Sequence, residues 1–463
     1  MLHRALLAVV LAFAGVAQPA VPDTVPGRML TAWLEVFNGG DRDALRRFDE
    51  TNWPSGVKFL DQDVTFRKVT GGFDLRKIEE STPARITALV QERDSDQFGR
   101  LVLDVDAAQK ISAIAIRAIP RPAEFPLPHL SETELRSAAE RDAQQAAAAD
   151  RFAGAVLVAK DGRTVFARAY GLSDREHSVP NTLETRFRIG SMNKMFTAVA
   201  TMQLVQAGKI KLDDTVGAYL KDYPNADVAS KVTIRELLSH TGGTGDIFGP
   251  EFATHRLELR TVQDYIALYG KRAPLFEPGT KNQYSNYGFV LLGAIVEKVS
   301  GQSYYDYVRD HVYRPAGMTS TGSEPESAAV PNRSVGYTRD DGPWKPNADT
   351  LPYRGSPAGG GYSTVGDLLR FATALQGNRL LDAAHVAMLT TVPPDSKNPN
   401  YAYGFGSYDK NGTRCYGHSG GAPGMNGDLE ICGNGYVVVV LANEDPPAAG
   451  RVSDYITNRL PER

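Results

Sequence analysis

The sequence predicts an α+β protein in two parts: a small domain over residues 24–118, then a larger one over 131–463. In the larger part an antiparallel sheet is flanked by helices, with a helical subdomain in between. Three observations carry this expectation. A chain of 463 residues is long for one core. The stretch IPRPAEFPLPHL has prolines at 120, 122, 126 and 128, which no helix interior or central strand accepts, so 119–130 reads as a stiff linker. Beyond it, β-like runs stand at both ends with helical ones between, and the simplest arrangement joins both ends in a single sheet.

The elements follow in order. The start, MLHR, is positively charged, and Ala5 to Ala17 is an unbroken apolar run closed by small residues. Residues 1–20 therefore read as a cleaved export signal, since so short a run does not span a bilayer. The mature protein is expected in the periplasm or outside the cell, with no stable membrane span. GRMLTAWLEVFNGGDRDALRRF has helical periodicity broken at Gly39-Gly40. PARITALVQER, GRLVLDVD and KISAIAIRAI read as half-buried strands. Helices followed by a curved antiparallel sheet resemble the cone-shaped domain of nuclear-transport-factor-like proteins, and no catalytic motif falls within it.

After the prolines, Ser131 and Glu134 form a capping box for a helix to about Asp150. GAVLVAK, the turn Asp161-Gly162 and TVFARAYG make a hairpin. Helical segments fill the middle, and GDLEIC and GYVVVVLAN return to strands before a last helix.

Composition is that of a globular protein: 42% hydrophobic, 23% charged, net charge −3. That excludes a disordered chain and gives no basic footprint for nucleic acid. The two cysteines, Cys415 and Cys432, lie on segments that read as neighbouring strands. Export permits a disulfide, and both a cross-strand staple and a pair of buried thiols fit the sequence.

Gly417-His418-Ser419-Gly420-Gly421 spells G-x-S-x-G, the nucleophile elbow of α/β-hydrolases. That elbow needs a helix directly after the serine and a later histidine. Here a loop and then a strand follow, and the histidines stand at 3, 129, 177, 240, 255, 311, 385 and 418, none after Ser419. The elbow is excluded. A better nucleophile is Ser191 in FRIGSMNKMFTAVATMQLVQAG. Lys194 lies three residues on, on the same face of a helix whose apolar positions Met192, Met195, Phe196 and Val199 point to burial. A serine needs a base, and burial lowers a lysine's pKa enough for it to serve. Tyr284 and Asn286, around Ser285 before a second apolar helix, offer a phenol for proton relay and an amide for positioning. Each motif alone also fits an ordinary helix start, with a serine or asparagine as cap. No zinc-type spacing and no H-E-x-x-H occur, so neither cofactor nor metal is expected.

Together, Ser191-Met192-Asn193-Lys194, Tyr284-Ser285-Asn286 and His418-Ser419-Gly420 resemble the three motifs of the serine β-lactamase and penicillin-binding-protein superfamily, nearest its class C β-lactamase-like branch. TRFRIGSMNKMFTAV, LLSHTGGTGD, FEPGTKNQYSNYGFVLLG, SPAGGGYSTVGDLLRF and YGHSGGAPG carry the same resemblance, over about residues 145–460. The resemblance implies a β-lactamase/transpeptidase-like fold and an acyl-enzyme on Ser191. Lys194 and Tyr284 would be the proton-transfer groups, and Asn286 would position the lysine or the substrate. His418 and Gly420 would lie on an edge strand, and the N–H groups of Gly421 and Ser191 would hold the oxyanion. Histidine stands where true β-lactamases carry lysine, which implies a pH-dependent charge and weak β-lactamase activity. The implied function is hydrolysis of a small ester or amide. The alternatives are a β-lactam sensor that acylates without turnover, and a D,D-peptidase. His240 is expected to pack beneath the site, Tyr362 either to line it or to fill a turn, and Asp246 to have no paired carboxylate. Oligomeric state is left open.

Overall fold

The computed structural model describes residues 19–339 and 342–462. The expected export signal lies outside the described residues but for Pro19 and Ala20. The chain divides into two compact units, one ending at Pro126 and the other beginning at Leu127.

In the first unit, helices α1 (Val25–Gly39), α2 (Arg42–Asn52) and α3 (Leu60–Thr70) precede strands β1 (Phe73–Ser81), β2 (Arg85–Glu92), β3 (Phe98–Val105) and β4 (Ile111–Ile119). The strands pair antiparallel in sequence order. Leu30, Trp33, Leu34 and Phe37 put one stripe of α1 into the core, and Ile86, Ala88 and Val90 put one face of β2 against it. The chain leaves α1 at Gly40, whose φ of 73° is the left-handed conformation glycine adopts without strain. Sequence periodicity missed α3 and β1. α3 leaves Phe66 and Val69 exposed, and β1 is an edge strand with one fully buried residue, Phe73.

Asp49 on α2 is buried with neither carboxylate oxygen hydrogen-bonded. Burial, reinforced by the nearby Asp63, pushes its carboxyl up to about 7. A raised acid binds its proton more tightly in the folded chain than in the unfolded one. This unit therefore loses stability as pH rises from about 4 to about 7. Asp49→Asn is expected to raise the unit's melting temperature at pH 8 by roughly 4–8 °C, the shift that about 1 kcal/mol produces in a unit of this size. Little change is expected at pH 4, and calorimetry at the two pH values checks both.

The second unit begins with α4 (Glu132–Ala148), whose Ser131–Glu134 capping box is formed. Then come β5 (Gly154–Lys160) and β6 (Arg163–Tyr170), joined through Asp161 and Gly162, both at positive φ (49° and 78°), as a primed hairpin turn requires. The middle holds α5 (Asn193–Gln206), short helices from Val216 to Tyr269, α6 (Asn286–Ser300) and α7 (Val365–Gln376). The end holds β7 (Gly406–Lys410), β8 (Thr413–Ala422), β9 (Met425–Cys432), β10 (Tyr436–Ala442) and α8 (Ala448–Thr457). The six strands form one antiparallel sheet in the order β7-β8-β9-β10-β5-β6, so both ends of the unit meet between β10 and β5.

Alternation along the strands builds a core on each face. Val437, Val439 and Leu441, with Ala155, Leu157 and Ala159, face the layer of α5, α6 and α7. Val438, Val440 and Ala442, with Val156 and Val158, face α4 and α8. A sheet covered on both sides explains why YVVVVLA is apolar throughout. Cys415 on β8 and Cys432 on β9 are direct cross-strand partners and are joined by a disulfide in this second core. Among the described residues no helix is long and apolar enough to cross a membrane.

Candidate active site

The turn before α5 sets the first group. Gly190 holds φ at 51°, a short 3₁₀ turn follows over Gly190–Met192, and Ser191 stands on it ahead of the helix. Met192, Met195, Phe196 and Val199 are fully buried and fix the helix. Strand β8 runs against this turn. A Cβ at Gly420 would collide with the Ile189 carbonyl oxygen and come within 3.0 Å of Ser191 N, and a Cβ at Gly190 would lie 3.1 Å from Gly421 N. Glycine at 420 is thus a steric requirement. The close approach brings the backbone of Gly420-Gly421 and that of Ser191 to one place.

Lys194, in the first turn of α5, is fully buried. Its Nζ lies 3.2 Å from Ser191 Oγ and 2.7 Å from Asn286 Oδ1, and it also donates to the Ala358 carbonyl. Two of these partners, the amide oxygen and the backbone carbonyl, can only accept. A neutral amine has two N–H bonds and one lone pair. With both N–H bonds committed, the lone pair faces the Ser191 hydroxyl. Burial lowers the lysine pKa to about 7, against the raising effect of the Asp246 carboxylate. The Ala358 carbonyl is held in place by α5 itself. Asn193 Nδ2 donates to Ser356 O at 2.8 Å, and Thr197 Oγ1 donates to Pro357 O at 2.7 Å.

The second motif caps α6. Ser285 Oγ accepts from Gly288 N at 2.9 Å and donates to Gly245 O at 2.5 Å, which ties the loop before α6 to residues 244–246. Tyr284 stands beside Ser191, and desolvation of its phenol outweighs the effect of that neighbour and raises its pKa, so the hydroxyl stays protonated. The Lys194 amine sits 4.7 Å from the Tyr284 ring centroid. His240 lies beneath, its ring centroid 4.3 Å from that of Tyr284, with Nδ1 accepting from Ser285 N at 3.1 Å. Burial and then the Lys194 charge hold His240 neutral.

His418 departs from expectation. Its Nδ1 donates to Ser419 O at 2.5 Å, and Nε2 accepts from the Tyr401 hydroxyl at 3.1 Å. Burial, then the Lys194 charge, lowers its pKa to about 3. The imidazole is neutral and has spent both nitrogens, so the pH-dependent charge expected from the motif is not available. Tyr401 was not singled out in the sequence: no spacing relates it to His418, and only the fold brings the loop before β7 alongside β8. Tyr362 is buried and its hydroxyl donates to Glu324, so it packs in the fold and its phenol is not free. The structure therefore brings Ser191, Lys194, Tyr284, Asn286, His418, Gly420 and Gly421 into one neighbourhood.

Most of the second unit also resembles known proteins. The family model described as Beta-lactamase matches residues 138–460. Penicillin-binding protein 4 of Amycolatopsis lactamdurans is 33% identical over 294 residues, 59% of this chain and 76% of that protein. The putative penicillin-binding protein PbpX of Bacillus subtilis (strain 168) is 29% identical over 300 residues, 63% of this chain and 70% of that protein. Among solved structures, a penicillin binding protein from Bacillus halodurans superposes with a TM-score of 0.60 at 30% identity, covering 71% of this chain and 98% of that one. A D-stereospecific amidohydrolase from Streptomyces sp. gives 0.59 at 30% identity, covering 70% and 98%. The chain belongs to the beta-lactamase family of serine hydrolases.

Proposed function

We propose that the protein is an exported serine hydrolase that cleaves small, uncharged esters or amides through an acyl-enzyme on Ser191. The observation that carries this reading is the committed state of Lys194: two fixed acceptors leave its lone pair to the serine hydroxyl. Lys194 takes the proton as Ser191 Oγ attacks the carbonyl carbon. The backbone N–H groups of Ser191 and Gly421 receive the negative oxygen. Tyr284 gives its proton to the leaving group and is reloaded from the Lys194 ammonium. Water, activated by the same groups in reverse, releases the acid. The amidohydrolase likeness supports amides among the substrates, and the apolar run at Ala5–Ala17 supports export.

The preference for uncharged substrates rests on His418. Its neutral, fully partnered ring supplies no cation for a substrate carboxylate, and the charge nearest Lys194 through Asn286 is the Asp246 carboxylate. The test compares methyl 4-nitrophenyl succinate with 4-nitrophenyl hydrogen succinate, which differ in one charge. The methyl ester is expected to have a kcat/KM at least about tenfold higher, because the acid would leave its charge unpaired in the site. Equal or faster cleavage of the acid refutes the preference. Cleavage of neither ester above a Ser191→Ala control refutes the hydrolase.

A further inference from the structure

The Asn286 amide can be oriented from its neighbours by chemistry alone. On one side stands Lys194 Nζ, which donates, 2.7 Å from Oδ1. On the other stands Asp246 Oδ1, which accepts, 2.9 Å from Nδ2. With these partners the amide has one satisfied orientation, oxygen toward the lysine. Asp246 is itself pinned: the same Oδ1 accepts from Ile247 N at 2.6 Å and Phe248 N at 3.3 Å. Its loop is fixed to the start of α6 by Thr244 Oγ1 against Ser285 Oγ at 2.8 Å and by the Ser285 bond to Gly245 O.

We propose that Asp246 is a positioning residue: it locks the Asn286 amide so that Lys194 keeps its lone pair on Ser191. The proposal rests on the reading of Lys194 as the base. Remove the acceptor and the Asn286 amide is free to turn its NH₂ toward Lys194. That would leave the amine with one acceptor, Ala358 O, and its lone pair no longer aimed.

A second consequence is electrostatic. The charged and titratable groups acting on Lys194 are Asp246 from the loop after residue 240, His240 beneath it, His418 from β8, and Tyr284 and Ser191 at the front. The two histidines are neutral and Tyr284 is protonated, so Asp246 is the anion in this set. It favours the ammonium and so delays the appearance of the free base as pH rises. Asp246 is exposed at the surface, and water screens that effect.

The experiment is the pH profile of kcat/KM toward methyl 4-nitrophenyl succinate for the full-length protein and two variants, Asp246→Ala and Asp246→Asn. Asparagine keeps an oxygen where three N–H groups converge but loses the charge. Asp246→Ala is expected to lower kcat/KM about 10- to 100-fold across the whole profile, the scale of a misaimed catalytic group. Asp246→Asn is expected to restore the high-pH plateau to within a few-fold of the unmodified protein. It should also move the acid limb to lower pH by about half a unit, the effect of one screened neighbouring charge. An alanine plateau within twofold of the unmodified protein overturns the proposal. So does an asparagine variant whose acid limb does not move, a readout that holds even if the alanine variant fails to fold. An unmodified protein with no acid limb at all points instead to failure of the base assignment.

Discussion

Lys194→Arg is expected to abolish turnover, lowering kcat/KM by about 10²–10⁴, the range that a positioned general base contributes. Arginine keeps the positive charge and the hydrogen-bond donors but has no accessible neutral form and no lone pair to offer. The site, as built, needs that neutral form. Burial lowers Lys194 to about 7, so the free base grows in as pH rises through that value. The unmodified protein should therefore show a kcat/KM that climbs from about pH 6 to about pH 8, and the arginine variant should be low and flat over the same range. A base that had to be phenolate Tyr284 would give a limb far higher, because that phenol is raised, not lowered. Steady-state rates in overlapping buffers distinguish the two. An arginine variant with more than a tenth of the original activity contradicts the role given to Lys194.

Ser191→Ala is expected to cost as much or more, at least about 10³ in kcat/KM, since removing the nucleophile leaves only binding and oxyanion contacts. The change deletes one oxygen from a half-buried position. The anchors of the turn, Met192, Met195 and Phe196, stay in place, so the melting temperature should move little. Substrate affinity should survive, because the strand and the backbone groups that would hold the carbonyl are untouched. Loss of activity with an unchanged melting curve assigns the effect to chemistry; a collapsed melting curve would show that the residue holds the fold.

Much of the architecture was legible because it is written locally. The Asp161-Gly162 turn, the Ser131–Glu134 box and the apolar runs at both ends of the second unit each state their own conformation over a few residues. α3 and β1 were not legible, since one shows Phe66 and Val69 to solvent and the other is a charge-rich edge strand. At the site, Ser191, Lys194, Tyr284 and Asn286 stood in motifs, and their meeting could be anticipated. Their supports could not. The Ala358 carbonyl carries no side-chain signal, Tyr401 reaches His418 only through the fold, and Asp246 acts through the Asn286 amide. The sequence suggested a titrating histidine at 418. Burial and two committed nitrogens make it neutral, and neither property is visible in a string of residues.

The central claim is a covalent acyl group on the hydroxyl at residue 191. The most direct measurement mixes the protein with methyl 4-nitrophenyl succinate, quenches in acid within the first turnover, and maps the modified peptide by mass. The account predicts a methyl-succinyl group on Ser191 and none on the Ser191→Ala protein. An acyl group on another residue, or the same adduct persisting in the alanine variant, would contradict it.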